Sequence, residues 1–265
     1  MRLAALIIGC AIGPAVADEA GPLPFAADIV ILGEVHDNPE HHLNQAAWIA
    51  EVAPTAVVFE MLTPQQADLA LETGSVDPVQ IGWAESGWPD FALYAPVFDA
   101  AAGRAIGGGE VPRDKVRRAF EIGADAAFRD MAAQYGIGWE FDLATPLDAE
   151  EQAEREAEQN AAHCDALPAE MLPSFVEAQR LRDAALAAAT LSALERNGPP
   201  VVLITGNGHA RRDWGVPVYL ERAAPDLTVL SVGQYEDRVP DGDIPFDHAV
   251  AAPAADRPDP CEAFR

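Results

Sequence analysis

The stretch ADIVILGEVHDNPEHH, residues 27–42, joins an apolar run to a histidine-rich turn and then to the start of a helix. The apolar run closes with a glycine, which is typical of a strand buried on both faces in a parallel sheet. Asn38, Pro39 and Glu40 provide a capping side chain, a proline at the first helical position and an acid in the first turn. The pattern therefore predicts a buried strand, a turn and a helix that ends near Val52.

The same alternation continues along the chain. Apolar runs predict further buried strands at 55–60, 201–205 and 227–233, and a short strand is expected within 103–113. Helical patterning covers 64–73, 114–135, 147–164 and 168–198. The first strand, helix and second strand are typical of a right-handed βαβ crossover. We predict one α/β domain, residues 18–265, with a mostly parallel central sheet flanked by helices and an extended surface tail at 238–265.

Composition limits the class of protein and of partner. The chain has 265 residues, 49% of them hydrophobic, which suits one large domain and excludes global disorder. Seventeen basic residues face 43 acidic ones, giving a formal net charge of -26. Such a chain should repel nucleic acid and anionic membrane surfaces, so neither is an expected partner.

The first seventeen residues have the pattern of a cleavable secretory signal. One positive charge precedes a short apolar core, and Ala15-Val16-Ala17 ends in the small residues of a cleavage site. Cys10 lies in a segment that loosely resembles a lipoprotein box, but the apolar stretch before it is short, so lipid anchoring is the less favoured alternative. We predict a periplasmic or secreted protein, in which Cys164 and Cys261 would form a disulfide.

Three predicted strands end in residues that could bind a ligand. His36 follows the first strand, Glu60 ends the second and His209 follows the strand at 201–205. Because the carboxyl ends of parallel strands meet at one edge of the sheet, these three side chains should converge. The spacing GxxH occurs twice, beginning at Gly33 and at Gly206, where glycine permits a tight exit from the strand.

This set of residues leaves three interpretations open. Two histidines and a carboxylate suit a divalent metal such as Mn, Zn or Fe, with one position open for water. The same groups could line a cofactor pocket, or they could only hydrogen-bond two loops together. His41 and His42 lie in the first turn of the helix, where we expect one to face the site and the other to face solvent. The aromatic segment 83–94 predicts core packing or a wall for a flat ligand, with Tyr94 as an oxygen ligand to iron.

Other catalytic signatures are missing from the sequence. The segment TGNGHAR, residues 205–211, has Arg211 where a dinucleotide fingerprint needs its third glycine. No GxSxG nucleophile elbow and no HExxH zinc motif occur. A dinucleotide enzyme, an α/β-hydrolase of the serine type and an HExxH metalloprotease are therefore disfavoured.

Several blocks together resemble the ChaN-like haem-binding proteins. They are VILGEVHDNPEHHLNQ at 30–45, VVFEM at 57–61, WPDFALYAPVFDAA at 88–101, HCDALPAEMLPSFVEAQRLRDAALA at 163–187 and LITGNGHARRDWGVP at 203–217. This family is placed in the wider Tiki/TraB and erythromycin-esterase-like superfamily. The resemblance implies an EreA/ChaN-like α/β fold, haem as the cofactor and a role in bacterial iron uptake. It also implies relatives that are hydrolases, including metal-dependent proteases.

The resemblance assigns residues motif by motif. The first GxxH block is matched by Gly33, Glu34 and His36, and the second by Gly206 and His209. The glutamate after the second strand is matched by Glu60, and the proline-arginine turn by Pro112-Arg113. The iron-binding tyrosine of the family has no counterpart after the glutamate, where the chain reads Met61-Leu62-Thr63, so Tyr94 is the nearest substitute.

Two functional hypotheses follow. The first is an exported haem-binding protein of iron acquisition, in which Arg113 or Arg211 binds the propionates. It could act as a homodimer and with an uptake partner in the outer membrane. The second is a metal-dependent hydrolase in which His36, Glu60 and His209 surround the ion, with Glu34 or Glu60 as general base.

Overall fold

The structure is a computed structural model that describes residues 24–135 and 137–264, without the side chains at 134–135 and 263–264. The predicted signal at 1–17 and the lipidation candidate Cys10 lie outside the described residues. No helix within the described part of the chain is long and apolar enough to cross a membrane.

The described residues form one six-stranded sheet in which all neighbouring strands are parallel. The strand order is β3-β2-β4-β1-β5-β6. The bounds are β1 Ile29–Leu32, β2 Ala56–Phe59, β3 Ala105–Gly108, β4 Val201–Ile204, β5 Val229–Glu236 and β6 His248–Ala252. The predicted α/β class with a parallel central sheet is confirmed.

The position of β4 decides which loops meet. It pairs with β2 on one side and β1 on the other, so the two strands of the predicted crossover are not neighbours. β1 and β4 are buried at every residue, as their continuous apolar runs require. Because the strands are parallel, the loops after β1, β2 and β4 lie side by side at the carboxyl edge of the sheet.

The helices begin and end where local sequence signals predict. Asn38 caps the first helix by accepting hydrogen bonds from the amides of Glu40 and His41, and Thr63 forms a capping box with Gln66 at the second. The bounds are α1 Pro39–Val52, α2 Pro64–Thr73, α3 Trp83–Ser86, α4 Phe91–Ala100, α5 Arg113–Tyr135, α6 Ala149–Ala162, α7 Leu172–Asn197, α8 Asn207–Ala210 and α9 Val216–Ala223. Short 3₁₀ helices lie at Ala169–Met171 and Pro260–Phe264.

Side chains alternate along the strands between two cores. On one face Ile31 and Leu203 pack in the cluster that contains Leu181 and Leu186 of α7. On the other face Phe59 packs in the cluster formed with α1 and α4. The helix α7 packs against β2, β3 and β4, and some of its residues reach the carboxyl edge of the sheet.

The C-terminal segment is part of the sheet. The region 238–265, expected to be an extended surface tail, contributes the edge strand β6, which pairs with β5. The predicted disulfide between Cys164 and Cys261 is confirmed and joins this segment to the end of α6. The prediction of a surface tail therefore missed one strand.

Candidate ligand-binding site

His36, Glu60 and His209 line one cleft, although up to 173 positions separate them in the sequence. The cleft lies at the carboxyl edge of the sheet and has a volume of about 390 Å³; we call it the strand-end cleft. His209 Nε2 is 3.5 Å from Glu60 Oε1. The size lies within the range of small-molecule sites.

Gly206 leaves the room that His36 occupies. A Cβ atom at this position would lie 2.8 Å from His36 Nε2 and 3.8 Å from Glu60 Oε2. Gly33, at the other GxxH motif, has Val232 O at 3.0 Å from its Cβ position and would also collide with the side chain of Asn207. Both glycines are therefore required by close approach of neighbouring groups.

Glu60 is buried and held by two donors. Its Oε2 accepts hydrogen bonds from Thr205 Oγ1 at 2.6 Å and from the Gly206 amide at 2.8 Å. Burial alone would raise the pKa of Glu60, but the nearby histidines and these hydrogen bonds hold it below its usual value. Glu60 is thus an ionised carboxylate at the base of the cleft.

His209 is oriented by Asp183, a residue that the sequence analysis did not identify. Its Nδ1 donates to Asp183 Oδ1 at 2.6 Å, and its Nε2 faces Glu60. Burial disfavours protonated His209, but the charges of Glu60 and Asp183 outweigh it and raise the pKa of the imidazole. The available signal was an acid in the middle of the otherwise apolar face of α7.

Glu34 has the corresponding role for His36. Glu34 Oε1 accepts hydrogen bonds from His36 Nδ1 and from the Tyr94 hydroxyl, each at 2.8 Å. Its Oε2 lies 3.5 Å from His42 Nε2. Since Glu34 is 2% exposed, it does not itself reach a ligand in the cleft. The bond to Nδ1 leaves Nε2 of His36 available, and the His36 ring lines the strand-end cleft.

These contacts shift the pKa values of Glu34, His36 and Tyr94. Burial opposes ionisation of Glu34, yet its histidine partners hold the pKa of the carboxyl far below its usual value. Burial also disfavours protonated His36, but the hydrogen bond to Glu34 and the nearby acidic charges raise its pKa to about 9. Burial and the Glu34 charge raise the pKa of Tyr94 far above its usual value. The geometry does not favour Tyr94 as an iron ligand, because its side chain is fully buried, its hydroxyl donates to Glu34 and it does not line the strand-end cleft.

The helix-turn histidines are both fully buried, so the prediction that one faces solvent is wrong. His41 accepts from the Val35 amide at 2.9 Å and donates to the Tyr235 carbonyl at 3.3 Å, and burial lowers its pKa. His42 donates from Nδ1 to the Leu93 carbonyl at 2.9 Å. His41 therefore fixes the loop after β1, and His42 packs against the Glu34 side of the site.

The aromatic segment 83–94 divides between core and cleft. Trp83, Phe91 and Tyr94 pack together in the core on the α4 side of the sheet. Trp88 lines the strand-end cleft, with its ring 4.9 Å from the ring of His36 in an edge-to-face arrangement. Both predicted roles of the segment therefore occur, in different residues.

The two predicted arginines have different surroundings. Arg113 lines the strand-end cleft and donates to the Ser86 carbonyl at 2.9 Å. Arg211 forms ion pairs with Asp213 at 2.7 Å and Glu158 at 3.2 Å and stacks on Trp214. Arg211 does not line this cleft. The cleft wall instead includes Arg182 and Glu110, which the sequence analysis did not identify.

A second cleft adjoins the first on the side of α6. It has a volume of about 380 Å³ and shares His36 and His209 with the strand-end cleft. Its outer wall contains Arg155, Glu158 and Trp214. His36 and His209, together with Gln179, therefore line both clefts. No group of three or more His, Cys, Asp or Glu side chains placed to hold a metal ion occurs within 24–135 and 137–264.

A comparison with models of known protein families identifies one family. A family model described as haem-binding uptake, Tiki superfamily, ChaN matches residues 25–220. A solved structure described as cofacial heme binding to ChaN of Campylobacter jejuni is similar, with a TM-score of 0.58 and 16% identity over 82% of this chain and 84% of that chain. At this identity the likeness shows the fold.

Two further solved structures are more distant. The type III effector HopBA1 has a TM-score of 0.45 and 14% identity, over 86% of this chain and 88% of that chain. A succinoglycan biosynthesis protein has a TM-score of 0.42 and 11% identity, over 79% of this chain and 66% of that chain. These scores are too low to support a functional argument. No curated protein matches the chain.

Proposed function

This chain belongs to the ChaN family of haem-binding uptake proteins in the Tiki superfamily, and from that premise we propose that it binds haem in the strand-end cleft. The observation that supports this location is His36. Its Nδ1 is held by the buried Glu34 at 2.8 Å, and its ring lines the cleft. A histidine whose second nitrogen is fixed by a carboxylate is the usual form of a metal-ligating imidazole.

The surroundings of His36 suit a flat ligand. The His36 side chain is 37% exposed, so a ligand can reach it from the cleft. Trp88 provides an aromatic surface beside it, and Val111 and Leu186 add apolar area to the same wall. His36 would hold the iron of a bound haem, which would supply the metal for this interaction. Glu34 would fix the ring orientation and increase the basicity of Nε2.

We further propose that the protein is exported and acts in iron acquisition. The signal-like pattern at 1–17 supports export. The Cys164–Cys261 disulfide supports an oxidising compartment such as the periplasm. We also propose that the protein acts as a homodimer and with an uptake partner in the outer membrane. A haem bound in a surface cleft would leave part of its surface available to such a second molecule.

A haemin titration tests the binding proposal. Wild-type protein should give a saturable, red-shifted Soret band at about one haem per chain. His36→Ala should weaken binding by roughly tenfold or more and change the spectrum, because it removes the proposed ligand. His248→Ala, on the edge strand β6, is the matched control and should behave as wild type. Unchanged affinity and spectrum in His36→Ala would contradict the proposed site.

A hydrolase is the second candidate, and one observation favours it. The buried Asp183 orients His209, whose Nε2 lies 3.5 Å from Glu60 Oε1 at the cleft. This arrangement could place His209 and Glu60 for general acid–base catalysis on a bound ester or amide. Of the two carboxylates first considered as bases, Glu34 is enclosed, so Glu60 is the one able to act.

The two functions can be separated with one variant. Hydrolysis of a panel of simple esters should be lost in His209→Ala if the second candidate holds, while haemin binding through His36 remains. Equal hydrolysis rates in wild type and His209→Ala would exclude the hydrolase. Elemental analysis of the same two proteins tests its metal-dependent form, since a bound divalent ion should be lost in the variant.

A further inference from the structure

Arg182 is a half-buried arginine in the wall of the strand-end cleft that has no close acidic partner. It extends from α7 into the cleft that contains His36, Glu60 and His209. It forms no hydrogen bond or ion pair with another residue in the part of the chain that the structure describes. Burial lowers the pKa of its guanidinium, and the more distant charges of acidic neighbours only partly oppose this effect. An unpaired, partly desolvated cation is costly, so the site favours an incoming anion.

Among the described residues, several other buried or half-buried arginines are paired with acids, whereas the half-buried Arg104 donates only to the Ala100 carbonyl. Arg155 binds Glu151 at 2.5 Å, Arg180 binds Glu177 at 2.7 Å, and Arg211 binds two acids. The chain has 43 acidic residues for 17 basic ones, so a shortage of acids does not explain why Arg182 remains unpaired. Unlike Arg104, Arg182 also has no carbonyl partner among the described residues, so its guanidinium N–H groups remain available in the cleft.

The same cleft presents a second guanidinium. Arg113 is exposed at the rim and donates from Nη2 to the Ser86 carbonyl at 2.9 Å. An arginine has five N–H donors, so this contact leaves most of them available to a ligand. Between the arginines, burial raises the pKa of Glu110 to about 7, although Trp88 and the two arginines oppose the shift. Glu110 is thus less able than an ordinary carboxylate to neutralise them.

We propose that Arg182 and Arg113 together bind the carboxylates of a dianionic ligand whose body is apolar and flat. Each guanidinium can hold a carboxylate through two parallel hydrogen bonds. Trp88, Val111 and Leu186 line the same cleft and provide apolar surface for the body of such a ligand. This inference rests on the proposed function for the identity of the ligand, which would be haem with its two propionates. It assigns propionate binding to Arg182 with Arg113, and not to Arg211.

Iron-free porphyrins test the anion site without the iron ligand. Protoporphyrin IX carries two carboxylates, and its dimethyl ester has none, so their affinities are compared in the same dilute detergent by quenching of tryptophan fluorescence. Wild type should prefer the diacid by roughly tenfold or more. Arg182→Gln should reduce this preference by about fivefold or more. Arg117→Gln, an exposed arginine on α5, is the control and should keep the full preference.

The possible outcomes separate this inference from the proposed function. Equal affinity of wild type for diacid and diester would overturn the anion site, whether or not haemin binds. Failure of wild type to bind haemin or either porphyrin would contradict the proposed function itself. Circular dichroism identifies a variant that does not fold. In that case Arg182→Lys, which keeps the charge but loses the planar fork, should reduce the preference in part. Full preference in a folded Arg182 variant would overturn the assignment of Arg182.

Discussion

Tyr94 shows how the surroundings of a single residue decide its role. Its hydroxyl donates to Glu34 Oε1 at 2.8 Å, and the side chain is fully buried. The sequence predicts Tyr94 as an iron ligand because it is the tyrosine that follows Glu60 most closely along the chain. The structure places Tyr94 in the wall of neither cleft, so its hydroxyl does not reach a ligand bound there. Tyr94 is therefore better described as a residue that positions Glu34.

Tyr94→Phe should separate these roles. Removing a hydrogen bond to a buried carboxylate should lower the free energy of unfolding by about 1.5–3 kcal/mol. The absorption spectrum of the haem complex should stay that of wild type, because His36 remains. Urea unfolding and a haemin titration measure the two effects. A large loss of haem binding with unchanged stability would instead identify Tyr94 as a ligand.

Several site residues could be predicted because they follow strands. His36, Glu60 and His209 each end an apolar run, and parallel strands bring such positions to one edge. Asp183 and Arg182 could not be found in this way. They lie within a long helix, and their contacts depend on how α7 crosses the sheet, which no local pattern specifies. The burial of His41 and His42 depends likewise on packing against α4 and β5.

At the scale of elements, the loop after β1 is tied to the C-terminal segment. Arg257 binds Glu236 through two hydrogen bonds at 2.8 and 2.6 Å and lies 3.2 Å from Asp37. Asn38, the cap of α1, donates to Glu236 and to the Pro253 carbonyl. The segment after β6 therefore stabilises the turn that begins at His36. The strand β6 has the sequence HAVAA, which lacks the continuous run of large apolar residues found in β1 and β4. This explains why β6 was not predicted.

The Arg257–Glu236 pair should make stability depend on acid pH. The hydrogen bond from Arg257 is the main reason that the pKa of Glu236 falls to about 2 from its ordinary 4.5. A depressed folded-state pKa contributes stability that is complete above about pH 4.5 and is lost as the pH falls toward 2. Arg257→Met should therefore show a smaller loss of unfolding free energy over this interval than wild type.

Urea unfolding at several pH values between 2 and 6 measures the difference. Buried acids such as Glu34 and Glu60 contribute equally to both proteins, so the comparison isolates the Glu236 contribution. Arg238→Met is the control, because Arg238 is exposed and lies 3.8 Å from the fully exposed Asp241. If Arg257→Met and wild type lose stability in parallel, the ion pair has no role in acid stability.

At the scale of the whole molecule, the sequence predicts the α/β class of the fold but does not predict the order of the strands in the sheet. Strands alternating with helices predicted a parallel sheet, but the placement of β4 between β1 and β2 requires the chain to return after more than 90 residues. That placement brings Gly206 and His209 beside His36 and Glu60. The site is therefore a consequence of topology, while its chemistry is a consequence of strand-end residues.

The net negative charge of the protein should repel an anionic ligand at long range, although the arginines of the cleft attract it at contact. A net charge of -26 repels a dianionic porphyrin at long range, whereas Arg182 and Arg113 attract it at contact. Salt screens exposed charges over about 10 Å at 0.1 M, so the long-range repulsion is weakened more than the contact in the cleft. The association rate constant of protoporphyrin IX should consequently rise several-fold between about 10 and 300 mM NaCl, as screening removes the repulsion.

Stopped-flow fluorescence with monomeric porphyrin in dilute detergent measures this rate. The uncharged dimethyl ester is the control ligand, and its association rate should not depend on salt. Arg182→Gln should retain the salt dependence of association, since the net charge barely changes, but should release the diacid faster than wild type at every salt concentration. An association rate that falls as salt increases would mean that the field of the cleft dominates that of the whole protein, and the repulsion argument would be wrong.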